Sequence, residues 1–290
     1  MDTSVTSKRA KVFCDDMIKE IPRFPNDKES LNKLKNKSLT DLLVLYISWR
    51  LRHVGTRSRS VAGREALAGD PRAVQLKPNI DTFLKAVENG KDLTPYLSIK
   101  PRTQGYSPDA ETGSDPKSSW LDKDFLLNVM GLHHFHLGMI KEKRGHMART
   151  SELLFASVTR DTFEILGLFD HSAFEYEDDG SMTCERKKIW SVYEAQQNKK
   201  RLLGQLMIGG YQNFGITMSA HPMAVVRAAQ EHARIIEEVD PKLDDLSYVQ
   251  SLFPEVSSLK EKLKWHYKHL DFGLLHEKSG TFGVLSYGPN

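Results

Sequence analysis

Two short apolar runs constrain this chain most: Leu153–Val158 and Thr162–Phe169, separated only by Thr159-Arg160-Asp161. Each is too short for an ordinary helix and is bounded by turn residues, so the pair predicts two adjacent antiparallel strands joined by a tight hairpin. Upstream, Leu132-His133-His134-Phe135-His136-Leu137-Gly138 predicts a third strand, entered from a short helix over Lys123–Val129. A basic connection carrying Lys141, Lys143, Arg144, His146 and Arg149 links it to the pair.

The flanks read differently. Ser38-Leu39-Thr40-Asp41 supplies capping residues ahead of Leu42, Leu43, Leu45, Tyr46 and Trp49, which follow a helical period. Asp81–Val87 predicts another helix, closed by Asn89-Gly90. Helices are expected over Arg186–Leu203, Ala224–Val239, Leu246–Phe253 and Val256–His266, with Pro222 near the start of the second. Asp271–Leu275 and Thr281–Leu285, around His276-Glu277-Lys278-Ser279-Gly280, predict a terminal hairpin. Pro101, Gly105, Pro108, Gly113 and Pro116 mark a linker. The expected organisation is a helical basic segment over 1–95, a linker over 96–119 and an α+β domain over 120–290. Its fold class is α+β, with a small central antiparallel sheet, a helical N-terminal segment and a helical C-terminal region ending in a β-hairpin.

Composition narrows the class. With 39% hydrophobic and 27% charged residues the chain reads as a water-soluble globular protein. The longest apolar stretch, Leu42–Trp49, is far short of the roughly 18 residues that cross a bilayer. Met1–Lys11 is polar, and the two cysteines, Cys14 and Cys184, form no CxxC pair, so a reducing, cytoplasmic setting without membrane attachment is expected. The net charge is only +3, but residues 1–120 hold about six excess positive charges and the remainder a small negative excess.

Three of the eleven histidines fall within His133–His136. Imidazole titrates nearest neutrality, which suits it to move protons or hold metals. On a strand His134 and His136 share a face and His133 points away. His134, His136 and His171 could together hold a divalent metal, or could act without any cofactor as acid–base groups. Arg50, Arg52, Arg57 and Arg59 alternate in a way that suits phosphate contacts, against the alternative of an ordinary charged surface. Gly209–Gly215 precedes a helix and could receive an anion or simply require unusual backbone angles. Ser219-Ala220-His221 lacks the surroundings of a serine nucleophile. Trp265-His266-Tyr267-Lys268-His269 alternates rings and cations and could stack RNA bases, or could be a half-buried strand or helix end.

The order of residues 132–176 resembles the core of the RelE/HigB-like toxin superfamily, small endoribonucleases directed at ribosomes or mRNA. The matching features are the basic connection, the strand Glu152–Val158, the hairpin turn, the apolar strand Phe163–Phe169 and the following Asp170-His171-Ser172-Ala173-Phe174-Glu175. The resemblance implies an RNA-cleaving toxin or defence enzyme, with RNA, a ribosome and an antitoxin protein as partners. It implies His171 as acid or base, His134 or His136 as counterpart, and Arg144 or Arg149 stabilising the charged phosphorane. Two alternatives stand beside it: a metal-dependent nuclease or hydrolase using His134, His136 and His171, and a non-catalytic nucleic-acid- or protein-binding module.

Overall fold

A computed structural model describes residues 7–108, 126–199, 217 and 221–288. The chain is α+β and divides into two compact units, neither of them continuous in sequence. Of the described residues, unit one comprises 7–51, 102–108 and 224–288; unit two comprises 52–101, 126–199, 217 and 221–223. This corrects the expected division into 1–95, 96–119 and 120–290: residues 7–51 fold with 224–288, and residues 52–101 fold with the histidine strand.

Unit one is built on the helix Leu39–Leu51, which is apolar on nearly every side and accordingly buried on nearly every side. Ser38 begins it, accepting from the Asp41 backbone N–H at 3.1 Å. Helices Lys8–Glu20, Met223–Val239 and Leu246–Leu252 pack in the same core, with a three-stranded antiparallel sheet in the order β5 (Leu263–Lys268), β6 (Asp271–His276), β7 (Phe282–Ser286). The two chain ends are joined through Asp240. Its carboxylate accepts from Trp265 Nε1 at 2.6 Å and from Arg9 Nε at 3.2 Å, while Arg9 Nη2 donates to the Asp240 carbonyl at 2.7 Å. The terminal hairpin forms where expected. The expected helix Val256–His266 does not: residues 263–268 are a strand, because Trp265 and Tyr267 bury on every second position against Phe272.

Unit two holds a four-stranded sheet in the order β1 (Ser60–Ala62), β4 (Thr162–Asp170), β3 (Glu152–Val158), β2 (Leu132–His136). The pairs among β2, β3 and β4 are antiparallel, and β1 runs parallel to β4. The turn between β3 and β4 closes through a 2.9 Å bond from the Thr159 N–H to the Thr162 carbonyl. Both sheet faces are covered, which explains why the strands read as nearly continuous apolar runs. Phe135, Leu154, Ala156, Phe163, Ile165 and Leu168 lie in one cluster with Phe83 and Leu84 of the helix Lys77–Glu88. Leu132, Leu153, Phe155, Leu166 and Phe169 lie in another with Leu126, Phe174 and Ile189. The alternation on β4 changes phase at Leu166-Gly167, where the register shifts opposite Phe155/Ala156 and Gly167 adopts φ +147°. That bulge lets Phe169 join the second cluster and sets the exit of β4 into His171.

Candidate active site

β2 places its histidines as the alternation requires. His134 and His136 pair with Phe155 and Leu153, on the face of the Leu126–Ile189 cluster, and His133 lies on the opposite face, stacked 6.1 Å from Phe135. β4 ends at Asp170, opposite Glu152, and leads into the short 3-10 turn His171–Phe174. Asp170 caps this turn by accepting from the Ser172 N–H at 2.8 Å. The consequence is a meeting of the two strand ends: the His136 and His171 rings stand edge to face with centroids 5.9 Å apart. His136 is 7% exposed and His171 half-buried, so His171 is the more accessible of the pair. His134 packs against Phe155 at 5.7 Å and Phe174 at 5.0 Å.

Arg144 and Arg149 are exposed on the connection between β2 and β3, which leaves the sheet beside His136. That connection is itself ordered. The Leu137 N–H donates to Thr150 Oγ1 at 3.1 Å, and the Ala148 N–H donates to the Ile140 carbonyl at 2.7 Å. A side chain at Gly138 would strike the Ala148 carbonyl, so glycine is required for the two strands of the connection to approach. His146 Nε2 lies 2.9 Å from Glu142 Oε2. Lys141, Lys143, Arg144 and Arg149 are thus displayed at the same sheet end as the imidazole pair.

The arginine stretch divides between the units. Arg50 belongs to unit one, where its guanidinium carbon lies 5.6 Å from the Trp49 ring centroid. Arg52 and Arg57 are half-buried in unit two. Arg59 is 3% exposed, and its guanidinium donates to the carbonyls of Thr159 at 2.7 Å, Gly55 at 2.8 Å and Arg57 at 3.2 Å. Its donors serve the main chain of the β3–β4 turn and of its own 55–57 segment rather than a phosphate, so Arg59 leaves the expected phosphate-binding set.

Sequence reading missed the group that fixes the end of β4. Arg72 donates to the Leu168 carbonyl at 2.8 Å and to Asp70 at 2.8 Å, and lies 3.2 Å from Glu185. Glu185 in turn accepts from the Asp170 N–H at 3.3 Å. The hydrogen bonds from Arg72 hold the Asp70 carboxyl below its usual range. Its only signal in the sequence was Asp70-Pro71-Arg72, a capped helix start; nothing there told which strand the arginine would reach.

Of the remaining expectations, His266 and Lys268 do share a face of β5, and burial pushes the His266 imidazole below its ordinary value. Gly209–Gly215 and Ser219-Ala220 lie outside the described residues. Among the described residues, no group of three or more His, Cys, Asp or Glu side chains is gathered in a way that could hold a metal ion, and no helix is long and apolar enough to cross a membrane. Comparison with protein-family models, curated proteins and solved structures finds no match to this chain.

Proposed function

We propose that this protein is an endoribonuclease of the RelE/HigB-like kind, cleaving RNA by histidine acid–base chemistry at the end of the four-stranded sheet. The observation that carries the reading is the His136–His171 pair, 5.9 Å apart, beside a connection that displays four cations. RNA supplies its own nucleophile. One imidazole takes the proton of a 2′-hydroxyl, whose oxygen attacks the adjacent phosphorus. The bond to the 5′-oxygen breaks, and that oxygen takes a proton from the second imidazole. The products are a 2′,3′-cyclic phosphate and a 5′-hydroxyl. His171 meets the RNA, His136 is its counterpart, and Arg144 and Arg149 stabilise the charge that builds on the phosphorane.

Incubation of the purified protein with a synthetic RNA, with and without a chelator, tests this. The expected result is fragments ending in 2′,3′-cyclic phosphate, equally abundant in chelator and absent where the attacking ribose is 2′-deoxy. Chelator-sensitive cleavage would move the reading to a metal-dependent nuclease. The near-complete burial of His136 favours one other reading, a nucleic-acid-binding module whose basic connection binds without chemistry. RNA bound but left intact would select it.

A further inference from the structure

Two surface excursions leave the same end of the four-stranded sheet, and their charges are opposite. The β2–β3 connection exposes Met139 (53%) and Ile140 (73%), followed by Lys141, Lys143 and Arg144. The turn after His171–Phe174, closed by the Tyr176–Met182 bridge, exposes Tyr176 (50%) among Glu175, Glu177 and Asp178. Met139 and Ile140 are adjacent and so expose one contiguous apolar surface, the kind of feature that marks an interaction site. The Tyr176 ring is also held in place. Arg186, 1% exposed, sets its guanidinium carbon 3.9 Å from the ring centroid and donates to Tyr176 Oη at 2.9 Å. Burying a guanidinium beneath a ring that stays half in water costs desolvation, and what it secures is a fixed, outward-facing aromatic surface. Within one copy, the described residues show no ion pair between the basic connection and the acidic turn.

We infer that the partner of this end is a second copy of the chain. In a two-fold pair the basic connection of each copy meets the acidic turn of the other, with Met139 and Ile140 against Tyr176. Such a contact is self-complementary, as two-fold symmetry requires. Opposite charges set its register and rate of formation, and the apolar side chains are covered at its centre. Because the connection also carries the cations assigned to RNA, the second copy and RNA compete for it. The inference itself needs no RNA chemistry and stands or falls without it.

Analytical ultracentrifugation of the full chain at low and high salt tests the pairing. A dimer at low salt that weakens tenfold or more at high salt is expected. The connection-reversed chain, Lys143→Glu with Arg144→Glu, is expected to be monomeric, and so is the turn-reversed chain, Glu177→Lys with Asp178→Lys. All four positions are exposed, so folding is retained, and circular dichroism checks it. Mixed one to one, the two reversed chains are expected to form a heterodimer, since each then offers what the other lacks. A wild type that stays monomeric at low salt overturns the inference. So does a dimer indifferent to either reversal, or a mixture of reversed chains that fails to pair.

Discussion

The two units both set histidines against aromatic rings, and they do so to different ends. In unit one, His232 is 4% exposed on the helix Met223–Val239, stacked 4.5 Å from Phe272, with Nδ1 2.7 Å from Tyr267 Oη. Burial pushes its pKa down to about 4, so it is neutral across the physiological range and works as a packed, hydrogen-bonded ring. In unit two, His171 is half-buried, stands at the start of a capped turn, and faces a second imidazole at the end of a sheet. The arginines repeat the contrast within unit two: Arg59 is consumed by three carbonyls, whereas Arg144 and Arg149 are displayed. Residue type alone therefore does not separate the packed side chains of this protein from the displayed ones; their position in the fold does.

The contrast can be broken by mutation, and Arg59 is the most severe test. Arg59→Ala removes the donor to the Thr159 carbonyl in the β3–β4 turn and the donors to the Gly55 and Arg57 carbonyls, and is expected to cost about 2–4 kcal/mol. Urea denaturation reads the loss. Unchanged stability would mean that the guanidinium contributes nothing to the fold and would restore it as a candidate for ligand binding.

His232 gives the next effect, through pH. Its folded pKa of about 4 lies below the ordinary 6.5, so between these values the unfolded chain binds a proton that the folded chain refuses. Its contribution is complete above pH 6.5, is lost as the pH falls toward 4, and changes no further below that. The full loss is about 3 kcal/mol at most. His232→Gln does not titrate and keeps a hydrogen-bonding side chain beside Tyr267, so its stability is expected to vary less over the same window. A variant that follows the wild-type acid profile would place the titrating group elsewhere.

The displayed arginines give the smallest stability effect and a distinct binding one. Arg144→Ala with Arg149→Ala is expected to change stability by less than about 0.5 kcal/mol. RNA affinity should fall, and the dependence of log affinity on log salt should flatten by roughly 0.7 for each phosphate that is no longer neutralised. Weakened folding with unchanged RNA affinity would reverse the assignment of the two arginine groups.

The parts of this architecture written in local pattern were legible. The strands at 153–158 and 162–169 follow from apolar runs broken by turn residues, and the separation of His133 from His134 and His136 follows from strand alternation. The parts decided by long-range packing were not. Trp265 and Tyr267 fit a helix or a strand equally until Phe272 and Asp240 are beside them. The joining of the chain ends depends on Arg9 reaching Asp240, 231 residues away, and no local signal encodes that. Arg59 looked like a phosphate ligand because its neighbours are arginines. Two of the three carbonyls that claim it, Gly55 and Arg57, are local, and the third, Thr159, lies 100 residues away in the β3–β4 turn. At the site, composition pointed to His136 and His171 separately, and only the bulge at Gly167 and the pairing of β2, β3 and β4 bring them to one end.

The central claim is that the sheet-end pair His136 and His171 does chemistry while His232, packed in unit one, does not. The most direct test is the cleavage rate of a synthetic RNA by wild type, His171→Ala and His232→Gln, each verified as folded. The account predicts a loss of roughly 100-fold or more for His171→Ala, the scale of an acid–base group, and a near-wild-type rate for His232→Gln. Equal rates for wild type and His171→Ala would contradict it.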